Sequence, residues 1–265
     1  MSVDKVCSYS YFRHDASGYE SENAGTSRGK FFTNFLPALV RAHVVCWKGW
    51  ELSIHHDDRV RDIPYFKVLQ RLEKHGLLKL LYQGQAQTLC GSMLWRLSPL
   101  FDFDVDYLVC RDIDSLPMPR DRGMVEEFIK IGATLHTIND SISHSGVMGG
   151  TCAFDVRKFR DRFQCKSLSE LISRGEGLQI DYNKHGGDQL LLNGYVAPNI
   201  CTDLLVHSMR NSVGLARATL PVHLRGTDAD ILFNHVGGAG DVDRAVRWYD
   251  ANYPNPTILE AENGN

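Results

Sequence analysis

Two aspartates one residue apart, Asp112 and Asp114, are the side chains whose type and spacing most directly suggest chemistry in this sequence. They follow Tyr107 to Cys110, a short apolar run typical of a strand buried in the middle of an α/β sheet. Carboxylates at i and i+2, where a strand leaves the sheet, can converge on a hard divalent cation that keeps positions open for phosphate oxygens. Because isolated aspartates are also common in turns and helix caps, the flanking sequence has to decide between these interpretations.

The composition sets the class of protein. A chain of 265 residues with 43% hydrophobic and 23% charged content predicts one large soluble α/β domain, or one such domain plus a small appendage, with a sizeable core. The formal net charge of −3 provides no general attraction for nucleic acid or an anionic membrane. No apolar run reaches the roughly 18 residues of a membrane span, and no signal peptide is evident. Seven scattered cysteines without a C-x-x-C pair predict reduced core thiols, which favours a cytoplasmic location.

Strands and helices alternate along the chain, which predicts a mostly parallel sheet with helices on both faces. Ligands in such sheets bind outside the carboxyl ends of the strands, where Asp112 and Asp114 lie. The predicted strands are 3–12, 50–56, 77–82, 107–110, 133–138 and 151–154. The predicted helices begin near Asn34 and then cover 64–75, 89–97, 122–131, 156–163, 188–193 and 241–249.

Several segments, taken in order, resemble motifs of the GT-A fold glycosyltransferases with a D-x-D motif, and most of all the glycogenin-like and bacterial galactosyl- and glucosyltransferase group. They are Leu94-Trp95-Arg96-Leu97 before the strand ending in Asp112-Ile113-Asp114, then Ser145-Gly146-Val147-Met148, Asp188-Gln189-Leu190-Leu191-Leu192-Asn193 and His235-Val236-Gly237-Gly238. The sequence departs from the family at two places. Ser145 replaces an asparagine, and Ala239-Gly240-Asp241 follows where the family has a lysine for the diphosphate.

The resemblance implies a single GT-A catalytic domain over 1–265: a nucleotide-sugar-binding half at 1–140, an acceptor and metal-closing half at 141–250 and a polar tail at 251–265. It implies that Asp112, Asp114 and His235 hold Mn2+ or Mg2+. Imidazole with two carboxylates suits a cation that accepts both nitrogen and oxygen ligands.

The same resemblance implies the remaining site residues. Asp188 and Gln189 are expected beside the anomeric carbon as the catalytic pair. Asp57 or the neighbouring Asp58 is expected to contact the base or ribose, and Tyr9 or Tyr11 to stack on uracil. The full set expected to bind the donor is Ser8, Tyr9, Ser10, Tyr11, Asp57, Arg96, Asp112, Ile113 and Gly238. The set expected on the acceptor or sugar side is Ser145, Gly146 and Gly187.

The implied function is transfer of a hexose, galactose or glucose, from a UDP-sugar to a glycan or glycoprotein acceptor with retention of configuration. An inverting transfer would need a carboxylate base, for which Asp140, Asp155 and Asp181 are available. Two other functions are open: a non-catalytic domain that binds nucleotide sugar or glycan, and a phosphatase of the haloacid dehalogenase type. The latter expects its aspartates on the first strand. The chain is also compatible with one domain of a longer multi-domain transferase, or with a virus-encoded enzyme acting in the host cytoplasm.

Overall fold

The computed structural model describes residues 4–12, 27–141, 144–184, 186–209, 218–222 and 242–264. In the first helix it describes side chains only from residue 35 onward, and it does not describe the side chain of residue 201. The strands in these ranges are β1 (Lys5–Tyr11), β2 (Glu51–His56), β3 (Lys79–Tyr82), β4 (Tyr107–Arg111), β5 (Leu135–Asn139), β6 (Cys152–Asp155), β7 (Leu204–Ser208) and β8 (Ala218–Pro221). The helices are α1 (Ser27–Cys46), α2 (Pro64–Lys74), α3 (Leu89–Met93), α4 (Pro119–Ile131), α5 (Val156–Phe163), α6 (Leu168–Arg174), α7 (Gly187–Leu191), α8 (Ala197–Ile200), α9 (Val242–Asn252) and α10 (Pro256–Asn263). A 3-10 helix, Leu94–Phe101, continues α3, and a π-helical turn, Leu192–Val196, joins α7 to α8.

The eight strands form one sheet in the order β3-β2-β1-β4-β6-β5-β7-β8. Every neighbouring pair is parallel except the two pairs that β6 makes with β4 and β5. The chain therefore progresses to one side of β1 through β2 and β3, then returns to its other side with β4. Ligands bind at such a switch point, in the crevice outside the carboxyl ends of the two strands.

Helices cover both faces of the sheet, which confirms the predicted fold class. On one face, buried side chains of α1, α2, α4, α9 and α10 form the first core. On the other, the 3-10 helix and α5 to α8 form the second core. Successive strand residues alternate between them: Leu108 lies in the second core, Val109 in the first and Cys110 in the second.

The end of β4 is fixed by a buried ion pair. Arg111 donates through Nε to Asp121 at 3.1 Å and through Nη2 at 2.5 Å, and both side chains are 1% exposed. Its Nη1 also donates to the carbonyl oxygens of Cys110 and Cys152, at 2.6 and 3.1 Å. Breaking a buried ion pair is costly, because it leaves an uncompensated buried charge. This pair therefore holds Arg111, the last residue of β4, and with it the next residue, Asp112, in one position.

The boundaries of several elements differ from the sequence-based predictions. Helix α1 begins at Ser27 rather than near Asn34, so Pro37 lies inside it. Helix α4 begins at Pro119, because proline is tolerated in the first turn where its missing N–H has no helical partner. The range 251–265, predicted as a polar tail, contains α10, which buries Ile258 and Ala261.

Helix α10 is held against the first half of the chain by Arg41, which is 5% exposed. Its guanidinium donates to both carboxylate oxygens of Glu262, at 2.7 and 2.8 Å, and to Asp250 of α9 at 2.6 Å. The Tyr65 hydroxyl also donates to Glu262, at 2.9 Å. Glu262, one of the polar residues of this segment, thus binds the Arg41 guanidinium through two parallel hydrogen bonds.

Six cysteines, Cys7, Cys46, Cys90, Cys110, Cys152 and Cys165, are buried thiols, as predicted. Within the described residues, no helix combines the length and apolar character that a membrane crossing requires.

We expect acid to destabilise the fold through His43. Its Nε2 lies 3.0 Å from the Trp50 carbonyl oxygen, and burial lowers the pKa of His43 from 6.5 to about 4. Between those pH values the unfolded chain binds the proton and the folded chain does not. Stability should therefore fall as the pH drops through this window, by about 1.4 kcal/mol per pH unit from this residue.

Urea unfolding of wild type and His43→Gln at pH 7, 6 and 5 measures this contribution. Glutamine can still donate to Trp50 but does not titrate, so its stability should depend less steeply on pH. The exposed His75→Gln serves as the control. Equal slopes for His43→Gln and wild type would contradict the prediction.

Candidate functional site

The 3-10 helix packs against β1 and β4 and contacts the carboxyl end of β1. The Ser10 hydroxyl, at the end of β1, donates to the Met93 carbonyl oxygen at 3.0 Å and accepts from the Arg96 backbone N–H at 3.1 Å. Thr88 caps α3 by accepting from Gly91 N–H at 3.2 Å. These contacts fix the backbone from which the Arg96 side chain reaches the crevice.

Arg96 bridges two carboxylates that are distant in sequence. Its Nη1 forms an ion pair with Asp112 Oδ1, and its Nη2 donates to Asp188 Oδ2 at 2.8 Å. Burial lowers the pKa of Arg96, but the charges of Asp112 and Asp188 outweigh this and raise it, so the guanidinium stays charged. The sequence predicted all three residues for the site, and the structure brings them together.

The two carboxylates differ in their exposure to solvent. The Asp112 side chain is 37% exposed, whereas that of Asp188 is 2% exposed. Helix α7 starts after Gly186 without a side-chain cap, so the Asp188 carboxylate is engaged with Arg96 rather than in capping. Its second oxygen, Oδ1, is buried and has no hydrogen-bond partner among the described residues. A buried acceptor left in this state is suited to a hydroxyl of a bound ligand.

Asp114 lies two residues after Asp112, and its carboxyl group is influenced first by burial and then by the charge of Asp112. Burial, followed by the charge of Asp112, raises the pKa of Asp114 from 3.8 to about 7. A divalent cation between the carboxylates would relieve this repulsion, and carboxylate oxygens are ligands that Mn2+ and Mg2+ accept. The residues present therefore fit a cation at this point. Among the described side chains, no group of three His, Cys, Asp or Glu residues converges as a metal site, and His235 lies outside the described ranges.

Two glycines let the backbone pass directly over these side chains. A Cβ on Gly149 would lie 2.4 Å from Asp188 Oδ2 and 2.6 Å from Arg96 Nη2. A Cβ on Gly150 would lie 1.9 Å from Asp112 Oδ2. No side chain fits at these distances. Glycine at both positions therefore allows the segment before β6 to pack against the carboxylates.

The segment 145–148 is joined to α7 by Asn193. Its side-chain amide accepts from Val147 N–H and donates to the Val147 carbonyl oxygen, both at 2.8 Å, and also donates to the Gln189 carbonyl oxygen at 2.8 Å. Gly146 has a φ of 68° and leaves no room for a Cβ, which would lie 2.3 Å from Asn193 Oδ1. The π-helical turn at 192–196 coincides with this contact, as is frequent at functional sites.

Ser145 and Gly187 are predicted for the acceptor side, and Gln189 is predicted as catalytic. Ser145 is exposed, and Gln189 is partly buried. Gly187 packs against Cys90, whose Sγ accepts from its N–H at 3.2 Å. Cys90 Sγ also donates to the Lys184 carbonyl oxygen at 2.7 Å, which ties the loop before α7 to α3.

The predicted base-stacking tyrosines lie in the first core. Tyr9 is 0% exposed and Tyr11 is 1% exposed, so neither presents a ring face to the crevice. The structure therefore contradicts stacking on these two rings: alternation along β1 directs Tyr9 to the α1 face and Ser10 to the site. A different aromatic pair stands at the end of β1. Phe12 and Trp95, both partly buried, meet edge to face with ring centroids 5.7 Å apart.

The remaining donor-side predictions lie within or near the carboxyl edge. Ser8 is buried, and its hydroxyl has no hydrogen-bond partner among the described residues. Asp57 is buried and accepts from the Val60 N–H at 3.3 Å, which stabilises the turn after β2. Ile113 is 5% exposed and belongs to the first core, so only its backbone can contact a ligand. Gly238 lies outside the described residues.

The three carboxylates that could act as a base have different surroundings. Asp140 follows β5 and forms a buried ion pair with Arg120 at 2.7 Å. Asp181 is exposed, and hydrogen bonding from the Asn183 backbone N–H lowers its pKa. Asp155 pairs in register with Tyr107 at the start of β4, which places it at the sheet edge opposite to Asp112.

We expect substitution of Asp155 to affect stability alone. Its side chain caps α5 by accepting from Lys158 N–H at 3.1 Å. Asp155→Ala should cost about 1 kcal/mol of stability, whereas Asp155→Asn, which can still cap, should cost a few tenths. Urea unfolding and UDP binding check both expectations. Loss of binding or turnover in a stable Asp155→Asn variant would contradict them.

No family model matches the sequence, and no curated protein matches it at a significant level. Among solved structures, S. aureus TarS residues 1–349 is 12% identical, covers 97% of this chain and 70% of its own, and has a TM-score of 0.41. The same protein in complex with UDP-GlcNAc is 11% identical, covers 98% of this chain and 69% of its own, and has a TM-score of 0.43. A putative glucose-1-phosphate thymidylyltransferase from Bacillus anthracis is 14% identical, covers 79% of this chain and 87% of its own, and has a TM-score of 0.44.

Proposed function

We propose that this protein is a metal-dependent glycosyltransferase that moves a hexose, galactose or glucose, from a UDP-sugar to a glycan acceptor with retention of configuration. The observation that carries the proposal is the Arg96 bridge between Asp112 and Asp188 at the crevice. One end of this cluster suits a cation and a diphosphate, and the other end suits sugar hydroxyls. A nucleotide-diphosphate sugar is a single molecule that offers both groups.

Asp112 and Asp114 would hold the cation, joined by His235. Mn2+ or Mg2+ bound there would act as a Lewis acid on the departing diphosphate. The Arg96 fork is preorganised for bidentate contact with phosphate as well as carboxylate, so it would orient the diphosphate beside Asp112. The backbone at Gly149 and Gly150, which packs closely against Asp188 and Asp112, would cover this side of the bound diphosphate.

Asp188 would orient the donor sugar. Its Oδ2 is fixed by Arg96, and the unsatisfied Oδ1 would accept a hydrogen bond from a sugar hydroxyl. Gln189 follows it in α7 and would lie on the same side as the reacting carbon. Asn193 holds α7 to the 145–148 segment, so the acceptor side and the donor side keep a fixed relation. We further propose that the base stacks on Phe12 or Trp95 rather than on Tyr9.

Retention is supported by the surroundings of the alternative bases. Asp140 is bound to Arg120, the pKa of Asp181 is lowered, and Asp155 lies at the other edge of the sheet. With these groups engaged elsewhere, a leaving phosphate oxygen is the group we propose to accept the acceptor proton. Beyond this, the acceptor would be a glycan or glycoprotein, and the chain could work as one domain of a larger transferase.

The test is release of UDP from UDP-galactose and UDP-glucose by the full chain with Mn2+, first alone and then with a panel of glycans. We expect donor-dependent UDP release that stops with EDTA, and an α-linked product from an α-linked donor. Asp188→Asn should still bind UDP and lose turnover. No UDP release from any donor, together with normal binding, would favour the non-catalytic domain. A β-linked product would contradict retention.

A further inference from the structure

The residue expected to bind the cation is already bound by another cation in this structure. Asp112 Oδ1 is in an ion pair with Arg96, a permanently charged group that is 3% exposed. A divalent ion and the guanidinium would therefore compete for the same carboxylate. The outcome of that competition decides when the metal site becomes available.

Several contacts hold Arg96 in this position. Its backbone N–H donates to Ser10, and its Nη2 is anchored to the buried Asp188 carboxylate at 2.8 Å. On the far side of Asp112, Oδ2 faces the backbone at Gly150, where an ideal Cβ would come within 1.9 Å. Asp112 therefore has little room to rotate away from the guanidinium toward that segment.

We infer that Arg96 masks Asp112 from divalent cations in the ligand-free protein and exchanges it for the diphosphate when UDP binds. This inference rests on the proposed function and adds a regulation of the same site. A diphosphate brings negative oxygens that the guanidinium can bind in the same bidentate manner as a carboxylate. Arg96 can then release Asp112 without losing its charge partner, and Asp112 becomes available to the cation.

Masking has a measurable consequence for the two ligands. The cation alone should bind weakly, and UDP should tighten it, with the reciprocal effect of the cation on UDP required by linkage. Such couplings are typically about 5- to 150-fold. Removal of Arg96 should change these two quantities in opposite directions. The cation alone should bind more tightly, and the coupling between cation and UDP should become weaker.

The test uses Mn2+ alone, with free Mn2+ counted by electron paramagnetic resonance in the full chain. Arg96→Met by itself leaves Asp188 buried without a partner and can fail to fold. The double variant Arg96→Met, Asp188→Asn removes one charge of each sign, so the net charge and the burial of uncompensated charge are preserved. Asp188→Asn alone keeps Arg96 on Asp112 and is the matched control. Thermal unfolding confirms that each variant is folded.

We expect the double variant to bind Mn2+ about tenfold or more tightly than wild type, as the coupling range implies. Asp188→Asn alone should show no such tightening, and UDP should improve Mn2+ binding less in the double variant than in wild type. Unchanged or weaker Mn2+ binding in the folded double variant, absence of Mn2+ binding in every variant, or equal tightening in Asp188→Asn would overturn the inference. Wild type that fails to bind UDP even with Mn2+ would instead overturn the proposed function.

Discussion

Asp114→Asn is expected to abolish Mn2+-dependent binding of UDP. An amide is neutral and a poorer ligand, and among the described residues no third His, Cys, Asp or Glu joins Asp112 and Asp114 in a metal site. Loss of a direct ligand should exceed the roughly 10- to 100-fold cost of altering an outer-shell partner. Calorimetric titration of UDP in the presence of Mn2+ measures the effect.

The stability of this variant separates loss of the ligand from loss of the fold. Burial and Asp112 raise the pKa of Asp114 to about 7, so its ionised form opposes folding at pH 8. Asparagine should therefore leave the metal-free protein at least as stable as wild type at that pH. Asp106→Asn, before the start of β4, is the matched control and should bind UDP normally. A folded Asp114→Asn variant with Mn2+-dependent UDP binding close to wild type would remove Asp114 from the metal site.

Gly150→Ala is expected to disable the site by steric displacement. The new methyl group would lie 1.9 Å from Oδ2 and 2.5 Å from Cγ of Asp112, too close for either to remain. Asp112 is short and paired with Arg96, so relief requires this ion pair to break or the 149–150 backbone to move. Misplacement of about 1 Å in a site can cost about 100-fold, and we expect a loss of that order in donor binding.

Gly177→Ala is the matched control for this prediction. Nothing lies within 4 Å of the position that its methyl group would take, and its backbone is compatible with alanine, so UDP binding should be unchanged. Calorimetry of both variants with UDP and Mn2+ makes the comparison. Equal binding by Gly150→Ala and wild type would show that the close packing over Asp112 has no functional role.

The residues of the Arg96 cluster could be predicted because each carries a local signal. Asp112 ends an apolar run that is typical of a central strand, and strand ends on the carboxyl side converge at one edge of a parallel sheet. Arg96 and Asp188 were predicted through motifs that resemble a family. Their pairing could not be predicted, because ninety-two positions separate them and the contact depends on how the 3-10 helix and α7 pack.

Other features depend on tertiary structure that local patterns do not encode. Alternation along β1 predicts that Tyr9 and Ser10 face opposite sides, but not which side is the site. The antiparallel direction of β6 relative to β4 and β5 is likewise a tertiary feature that its own four residues do not indicate. The role of Asn193 arises from contacts with Val147. The helix at 256–263 does carry local signals, namely the Asn255 cap, Pro256 in its first turn and Gly264 after it, whereas its position against α2 and Arg41 depends on tertiary packing.

The central claim is that the β1/β4 crevice binds a nucleotide diphosphate together with a divalent cation. Its most direct test is calorimetric titration of UDP into the wild-type chain, once with Mn2+ and once with EDTA. We predict saturable binding with Mn2+ that is lost with EDTA. Absence of UDP binding by the folded protein with Mn2+, or equal binding with and without the cation, would contradict the account.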